Sequence, residues 1–143
     1  LWLLISVMGT WARTILCCRL KCAHVMRHGC WSLWGRNSAL LAHGAPLQVS
    51  PTSDKLDYEA ELAVVIGRRT RFVSEADALK SVFGYACFND GSYRDYQRKA
   101  SQWTIGKNFD ASGGFGPHLV TADELPPGCV GLRIQSILNG KVM

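Results

Sequence analysis

Apolar and polar residues alternate most regularly over residues 56–66, and this stretch predicts a β-strand. Every second residue from Tyr58 onward is apolar, which is the spacing of side chains along one face of a strand. The opposite face begins with Asp57, Glu59 and Glu61 and becomes apolar towards residue 66. A strand that is acidic at one end and apolar on both faces at the other is typical of one that enters a hydrophobic core.

Two serines mark predicted helix starts further along the chain. Ser74 precedes an acidic residue by three positions, an N-cap pattern that predicts a helix over residues 74–82. The same pattern at Ser92 predicts a second helix, which runs to about Lys99. These short helices lie among strands, so we expect a mainly β member of the α+β class.

The remaining pattern predicts strands separated by turns. Apolar runs predict strands at residues 82–88, 103–105, 118–121 and 131–138. Asn89-Asp90-Gly91 and the glycine-rich residues 112–117 are typical of turns and loops, and Asn139-Gly140 is a strong hairpin signal. The strand that returns from this hairpin begins only at Lys141, so we expect a chain that ends before its fold is complete.

The first third of the chain differs in composition from the rest. The net charge of +5 arises before residue 51, where there are five basic residues and no acidic ones. The remainder is neutral, which argues against nucleic-acid binding. We therefore predict two segments, an atypical residues 1–36 outside the domain and a partial domain over residues 37–143.

Two features of the first segment suggest other functions. The apolar residues 1–8 are too few to span a bilayer and lack the basic start of a signal peptide, so we expect a cytoplasmic protein that does not bind membranes. A zinc site is an alternative suggested by a cluster of possible ligands, but its spacing does not form the usual pairs: Cys17, Cys18, Cys22, His24, His28 and Cys30. We favour a segment foreign to the domain.

Three acidic residues are candidate ligands for a metal ion. Glu59 and Glu61 are two apart on a predicted strand, so both side chains leave the same face. Asp90 follows the next strand, where a turn could bring a third carboxylate beside them. Three oxygen ligands suit Mg²⁺, or alternatively Mn²⁺ or Ca²⁺. A solvated strand face and an ordinary turn are the alternatives for these residues.

Three polar residues that follow are candidates for contact with a substrate. Arg94 and Gln97 are three apart on a predicted helix and so share one face, from which they could hold a carboxylate and a carbonyl. Lys107 follows a predicted strand and could stabilise an oxyanion. Solvent-exposed side chains are the alternative for all three.

Four ordered segments resemble the fumarylacetoacetate hydrolase family. Residues 57–67 are similar to the acidic strand of that family, and residues 89–97 to its loop for metal and substrate. Residues 102–110 and 116–121 continue the resemblance in the same order, within residues 37–143.

The resemblance implies a fold and a set of roles. It implies a truncated mixed β-roll of the type of the family's C-terminal domain, in a homodimer. It also implies that Glu59, Glu61 and Asp90 bind the metal, that Arg94 and Gln97 bind substrate, and that Lys107 is catalytic. The His–Glu pair that activates water in hydrolytic members is not recognisable, so no residue is assigned as the general base.

The expected function is metal-dependent hydrolysis of a C–C bond in a small β-diketo or 2-oxo acid, as in acylpyruvate or fumarylacetoacetate cleavage. An isomerase or decarboxylase with a hydroxymuconate-type or oxaloacetate-like substrate is the alternative within the family. A non-catalytic fragment is the alternative outside it. The chain is expected to derive from an active enzyme and to be incomplete, with an inactive fragment as one expected outcome.

Overall fold

A computed structural model of the protein describes residues 37–143 and, for the backbone alone, a strand at residues 2–6. The cysteines and histidines weighed above as zinc ligands lie outside the described residues. The boundary at residue 37 stays a prediction. Within the described part of the chain, every helix is too short or too polar to cross a bilayer.

A mixed sheet dominates the described residues, which confirms the α+β, mainly β expectation. Its strands are β1 (Trp2–Ser6), β2 (Leu40–Ala42), β4 (Ala60–Ile66), β5 (Val82–Asp90), β7 (Gly113–Phe115) and β8 (Val120–Thr121). The order is β1-β4-β5-β7-β2, and β8 pairs with β5. Strands β1 and β4, β5 and β7, and β5 and β8 are antiparallel, whereas β2 and β7 are parallel.

Two short antiparallel pairs and two short helices complete the regular structure of the described residues. Strand β3 (Leu56–Asp57) pairs with β6 (Ser92–Tyr93), and β9 (Ile137–Leu138) pairs with β10 (Lys141–Val142). The helices are α1 (Glu75–Ala78) and α2 (Arg94–Gln97). Turns of 3₁₀ helix occupy Asn37–Ala39, Leu79–Ser81, Trp103–Gly106, Ala122–Glu124 and Pro127–Cys129.

The chain divides into two compact units. The first comprises β1 with residues 62–86 and 118–133, and its core is a cluster of buried side chains: Val64, Ile66, Tyr85 and Cys129. Within this unit Gly84 is required, because a Cβ there would lie 2.4 Å from the carbonyl oxygen of Val120 on the paired strand.

The second unit comprises, among the described residues, 37–61, 87–117 and 134–143. Tyr93 is fully buried in it. Its hydroxyl donates to the Gln48 carbonyl and accepts from the Ser50 amide, each at 2.7 Å, and its ring centroid lies 4.0 Å from that of Phe109. These contacts tie the residues before β3 to β6 and fix the backbone from which the candidate site is built.

Two predicted features of the local structure are confirmed. Ser74 caps α1, since its hydroxyl accepts from the Asp77 amide at 3.2 Å. Asn139 and Gly140 join β9 to β10 with positive φ angles of 52° and 78°, as a tight hairpin requires.

The strand predicted over residues 56–66 is wrong in its continuity, because Tyr58 and Glu59 interrupt it. The Tyr58 amide there donates to Asp57 Oδ1 at 2.9 Å. The first piece, β3, then pairs with β6, whereas β4 joins the main sheet. The interruption therefore places Asp57 and Glu61 in different strand pairs.

The turn at residues 89–91 and the helix start at Ser92 are also wrong. Strand β5 continues through Asp90, because Asp90 pairs with Gly113. Ser92 lies in β6, and the N-cap of α2 is Tyr93, without a side-chain cap. The Ser92 hydroxyl accepts a hydrogen bond from the Lys107 side chain and does not cap a helix.

Three further predictions from local pattern are wrong. Residues 103–105 form a 3₁₀ turn that packs against α2 and not a strand. Residues 112–117 contain β7, because Gly113 lies under the Phe88 ring, where a Cβ would come within 2.7 Å. Of residues 131–138 only β9 is a strand, and the alternating apolar side chains there are exposed.

Candidate metal centre

Three carboxylates converge in the second unit, from two neighbouring strands of the main sheet. Glu59 directly precedes β4, Glu61 lies within it, and Asp90 is the last residue of β5. The Asp90 amide donates to the Glu59 carbonyl at 3.0 Å, which holds the two strands in register at this point. One carboxylate oxygen from each residue lies within 4.8 Å of the others.

Glu61 is the most deeply buried of the three, with 1% of its surface exposed. Neither of its carboxylate oxygens has a hydrogen-bond partner among the described residues. Burial, with the neighbouring charge of Asp90, raises the pKa of Glu61 to about 8. A buried carboxyl group without a partner is costly in a protein interior, and a bound cation would satisfy it.

Lys107 inserts its ammonium group between the other two carboxylates. Its Nζ donates to Asp90 Oδ2 at 2.6 Å, to Glu59 Oε2 at 3.0 Å and to Ser92 Oγ at 2.7 Å. Only 3% of the Lys107 side chain is exposed. The site therefore combines a concentrated negative charge with one buried positive charge.

The position of Lys107 depends on the glycine before it. Gly106 closes the 3₁₀ turn against α2, and a Cβ at this position would lie 2.6–2.8 Å from the Gln97 amide nitrogen, Cα and Cβ. The turn can therefore approach α2 closely enough to deliver Lys107 only because residue 106 has no side chain.

The acidic residues do not share one electrostatic environment. Burial opposes ionisation of Glu59, but hydrogen bonds from Lys107 and Arg94 outweigh it and hold its pKa below the ordinary value. At Asp90 burial dominates and raises the pKa, although the Lys107 ammonium opposes the shift. Glu59 therefore ionises at lower pH than an ordinary glutamate, whereas Asp90 and Glu61 keep their protons to higher pH than usual.

Arg94 and Gln97 border the carboxylates on α2. The Arg94 guanidinium contacts Glu59 Oε1, donates to Asp57 Oδ2 at 2.8 Å and donates to Gln97 Oε1 at 3.0 Å. The hydrogen bond from Arg94 lowers the pKa of Asp57. As predicted from their spacing, Arg94 and Gln97 share one face of the helix, and their side chains are in direct contact.

All six residues singled out in the sequence lie together in the second unit. The metal, substrate and catalytic roles assigned to them stay predictions. Sequence reasoning did not identify Ser92, because its N-cap pattern predicted a structural role instead. Asp57 belonged to the predicted acidic face, but nothing in the sequence indicated that it would pair with Arg94.

The donor set fits a hard divalent cation. All the candidate ligand atoms are carboxylate oxygens, which Mg²⁺, Mn²⁺ and Ca²⁺ prefer and which softer metals do not. Both Glu61 oxygens lack a hydrogen-bond partner among the described residues, so a bound cation would satisfy them, whereas Glu59 and Asp90 are already paired with Lys107.

Comparisons with known proteins identify the family of the chain. The family described as fumarylacetoacetate (FAA) hydrolase, C-terminal, matches residues 27–143. The oxaloacetate tautomerase fahd2, mitochondrial, of Xenopus laevis is 38% identical over 109 residues, which are 74% of this chain and 34% of that protein. This chain therefore spans about a third of that relative's length.

Two solved structures are similar as well. The 5-carboxymethyl-2-hydroxymuconate delta-isomerase of Mycobacterium smegmatis is 39% identical with a TM-score of 0.57, over 61% of this chain and 35% of that one. The fumarylacetoacetate hydrolase of Exiguobacterium antarcticum is 32% identical with a TM-score of 0.63, over 73% of this chain and 38% of that one. With the acidic group, the fold and the match over residues 27–143 in agreement, the chain belongs to the fumarylacetoacetate hydrolase C-terminal family, whose members are enzymes.

Proposed function

We propose that this chain is the metal-binding part of an enzyme that acts on small β-diketo or 2-oxo acids, and that its reaction is hydrolysis of a C–C bond. The observation that carries the proposal is the convergence of three carboxylates on one point beside a buried ammonium group. Glu59, Glu61 and Asp90 are the proposed ligands of Mg²⁺, with Mn²⁺ or Ca²⁺ as alternatives. When bound, such an ion would polarise the oxo and carboxylate oxygens of a 2-oxo acid.

Lys107 is the proposed catalytic residue. In cleavage of an acylpyruvate, water adds to the acyl carbonyl and the C–C bond breaks, which gives a carboxylic acid and the enolate of pyruvate. That enolate takes up a proton at carbon to give pyruvate. The buried Lys107 ammonium supplies positive charge next to the proposed ligands, where the enolate oxygen would form.

Arg94 and Gln97 are the proposed substrate-binding residues. Arg94 presents a planar guanidinium, which suits a carboxylate with two oxygens. Gln97 uses its side-chain oxygen to accept from Arg94, so its amide nitrogen is the donor that remains for a substrate oxygen. The carboxylate of a small acid could take the place of the Asp57 carboxylate on Arg94. Asp57 is nearly half exposed, so its side chain can turn into solvent when this happens.

A second candidate is isomerisation or tautomerisation of a 2-oxo acid. Two of the similar proteins carry this kind of reaction in their names, since the Xenopus protein is a tautomerase and the Mycobacterium protein an isomerase. That reaction passes through an enolate of its own substrate and moves only a proton. A decarboxylase with an oxaloacetate-like substrate is the further alternative. The cytoplasmic setting expected from the sequence and the homodimer implied by the family resemblance stay proposals.

One experiment separates these activities. The protein is incubated with Mg²⁺ or Mn²⁺ and either acetylpyruvate or the enol form of oxaloacetate. The products are followed as pyruvate, as loss of the enol ultraviolet absorbance, or as released CO₂. The rate of any acetylpyruvate cleavage is expected to fall about 10²–10³-fold in Lys107→Met and to stay unchanged in Lys80→Met, a change at an exposed lysine.

The other results have distinct meanings. Loss of the oxaloacetate enol without release of CO₂ or cleavage of acetylpyruvate would favour the tautomerase, and release of CO₂ from oxaloacetate would favour the decarboxylase. Turnover of neither acid by a protein that binds the ion would support the non-catalytic fragment.

A further inference from the structure

All three N–H groups of the Lys107 ammonium already donate hydrogen bonds. A protonated lysine carries three N–H donors. Here they are directed to Asp90 Oδ2, Glu59 Oε2 and Ser92 Oγ, at distances of 2.6–3.0 Å. In this arrangement no donor remains for a substrate oxygen, so the ammonium must give up a partner before it can act.

Two of these partners are also proposed ligands of the cation. A divalent ion attracts the oxygens of Glu59 and Asp90 more strongly than a single ammonium charge does, and it repels that ammonium. Both effects weaken the hold of the two carboxylates on Lys107. Ser92 is the neutral partner among the three, and its oxygen is not in competition between two positive charges.

The backbone around Ser92 holds its hydroxyl in place. Ser92 is fully buried and pairs with Asp57 between β6 and β3. The preceding Gly91 donates its amide to the Ser112 carbonyl at 2.9 Å, and a Cβ on Gly91 would lie 2.3 Å from that oxygen. This close approach leaves the Ser92 backbone little freedom to move.

The remaining contacts of Ser92 also favour a role as an acceptor for lysine. Its hydroxyl proton has two acceptors within reach, Glu59 Oε1 at 3.5 Å and the carbonyl oxygen of Asp90 at 3.4 Å. Either direction leaves a lone pair for the Lys107 ammonium, which approaches to 2.7 Å. Ser92 therefore connects the lysine to one carboxylate side chain and to the backbone of the other ligand.

We propose that Ser92 is a positioning residue, which holds the Lys107 ammonium beside the cation once Glu59 and Asp90 have turned to bind it. This inference rests on the proposed metal site. In the metal-free protein Lys107 keeps two carboxylate partners without Ser92, so the hydroxyl contributes little there. In the loaded protein it is the partner that remains, so its loss weakens the loaded state selectively.

The test compares Mn²⁺ affinity in Ser92→Ala and Ser112→Ala by calorimetry. Ser112 is the matched control, since it is equally buried in the same unit and donates to the Phe109 carbonyl without contacting Lys107. We expect Ser92→Ala to bind Mn²⁺ about 10–100-fold more weakly, because the buried Lys107 ammonium of the loaded protein is then left with an unsatisfied donor. Ser112→Ala is expected to bind as wild type does, and Ser92→Thr, which keeps the hydroxyl, to restore affinity.

A double-mutant cycle shows whether Ser92 acts through Lys107. In a Lys107→Met background, Ser92→Ala is expected to change Mn²⁺ affinity less than twofold. Ser92→Cys, which keeps the size of serine with a weak acceptor, replaces Ser92→Ala if the alanine variant does not fold.

Three results would overturn the inference. Equal Mn²⁺ affinity of Ser92→Ala and Ser112→Ala, with a wild-type protein that binds the ion, removes the role of Ser92 and leaves the proposed function standing. A full loss of affinity on Ser92→Ala in the Lys107→Met background shows that the serine acts independently of the lysine. A wild-type protein that binds no Mn²⁺ overturns the inference and the proposed metal site together.

Discussion

Single residues give the site its charge pattern, and Glu61 is the residue under the greatest constraint. Glu59 and Asp90 have Lys107 as a partner, whereas both Glu61 oxygens lack one among the described residues. A carboxyl in this position reduces the stability of the metal-free fold. It is therefore explained better by a ligand than by packing.

The pH dependence of folding follows from that carboxyl. The pKa of Glu61 is raised in the folded chain from an ordinary value near 4.5 to about 8. Between these values the folded chain keeps a proton that the unfolded chain has lost, so the stability of the metal-free protein falls as pH rises. Urea unfolding in the presence of a chelator at about pH 6 and about pH 8 measures this loss.

The control for this prediction is the neutral analogue at the same position. Glu61→Gln cannot ionise, so its stability is expected to change less between the two pH values than that of wild type. Glu75→Gln, at an exposed position on α1, is expected to keep the wild-type dependence. A wild-type protein that gains stability over the same interval would contradict the assignment of the shift to Glu61.

Strands, helices and turns bring these residues together, and the sequence pattern predicts some of these elements but not others. The paired apolar faces of β4 and the cap at Ser74 are local features, so pattern alone predicts them. The short strand β7 and the 3₁₀ turn before Lys107 depend on close approaches between distant segments. In both places glycine is present because a neighbouring segment leaves no room for a Cβ atom. From the sequence alone, glycine at these positions predicts a loop.

Gly106 provides the clearest prediction at this scale. Gly106→Ala places a Cβ against the backbone of Gln97, which cannot move aside as a flexible side chain would. We expect a loss of about 1–3 kcal/mol in unfolding free energy, because the turn that carries Lys107 is displaced. Urea unfolding measures this loss.

Gly114→Ala is the matched control for that variant. A Cβ at Gly114 would meet only the Asn89 Cβ, at an ordinary contact distance of 3.6 Å. The control is expected to fold as wild type does. Equal effects of the two substitutions would show that glycine content in general, and not the contact with α2, is responsible.

At the scale of the whole molecule, the candidate site belongs entirely to one of the two units. The sequence predicted all six candidate residues, because the acidic strand and the segment after β5 carry distinctive residues at short spacing. It did not predict the partners of Lys107, since Ser92 is fifteen positions from it in sequence and meets it only through the fold. The family resemblance supplied the roles that local pattern left open.

Metal binding is therefore expected to protect the second unit more than the first. A cation at one hundred times its dissociation constant stabilises the state that binds it by about 2.7 kcal/mol. Hydrogen exchange with and without Mn²⁺ is expected to slow chiefly at residues 57–61, 88–94 and 103–107. Uniform protection over both units, or protection confined to residues 62–86, would contradict a local site.

The most direct test of the account is the number of divalent ions that the chain binds and the residues on which binding depends. Calorimetry with Mn²⁺ is expected to give one ion per chain for wild type and for Asp54→Asn, a change at an exposed aspartate. Asp90→Asn is expected to lower the affinity at least about tenfold, since it removes one of three anionic ligands. Equal affinity in Asp90→Asn and wild type would contradict the proposal that Glu59, Glu61 and Asp90 share a cation.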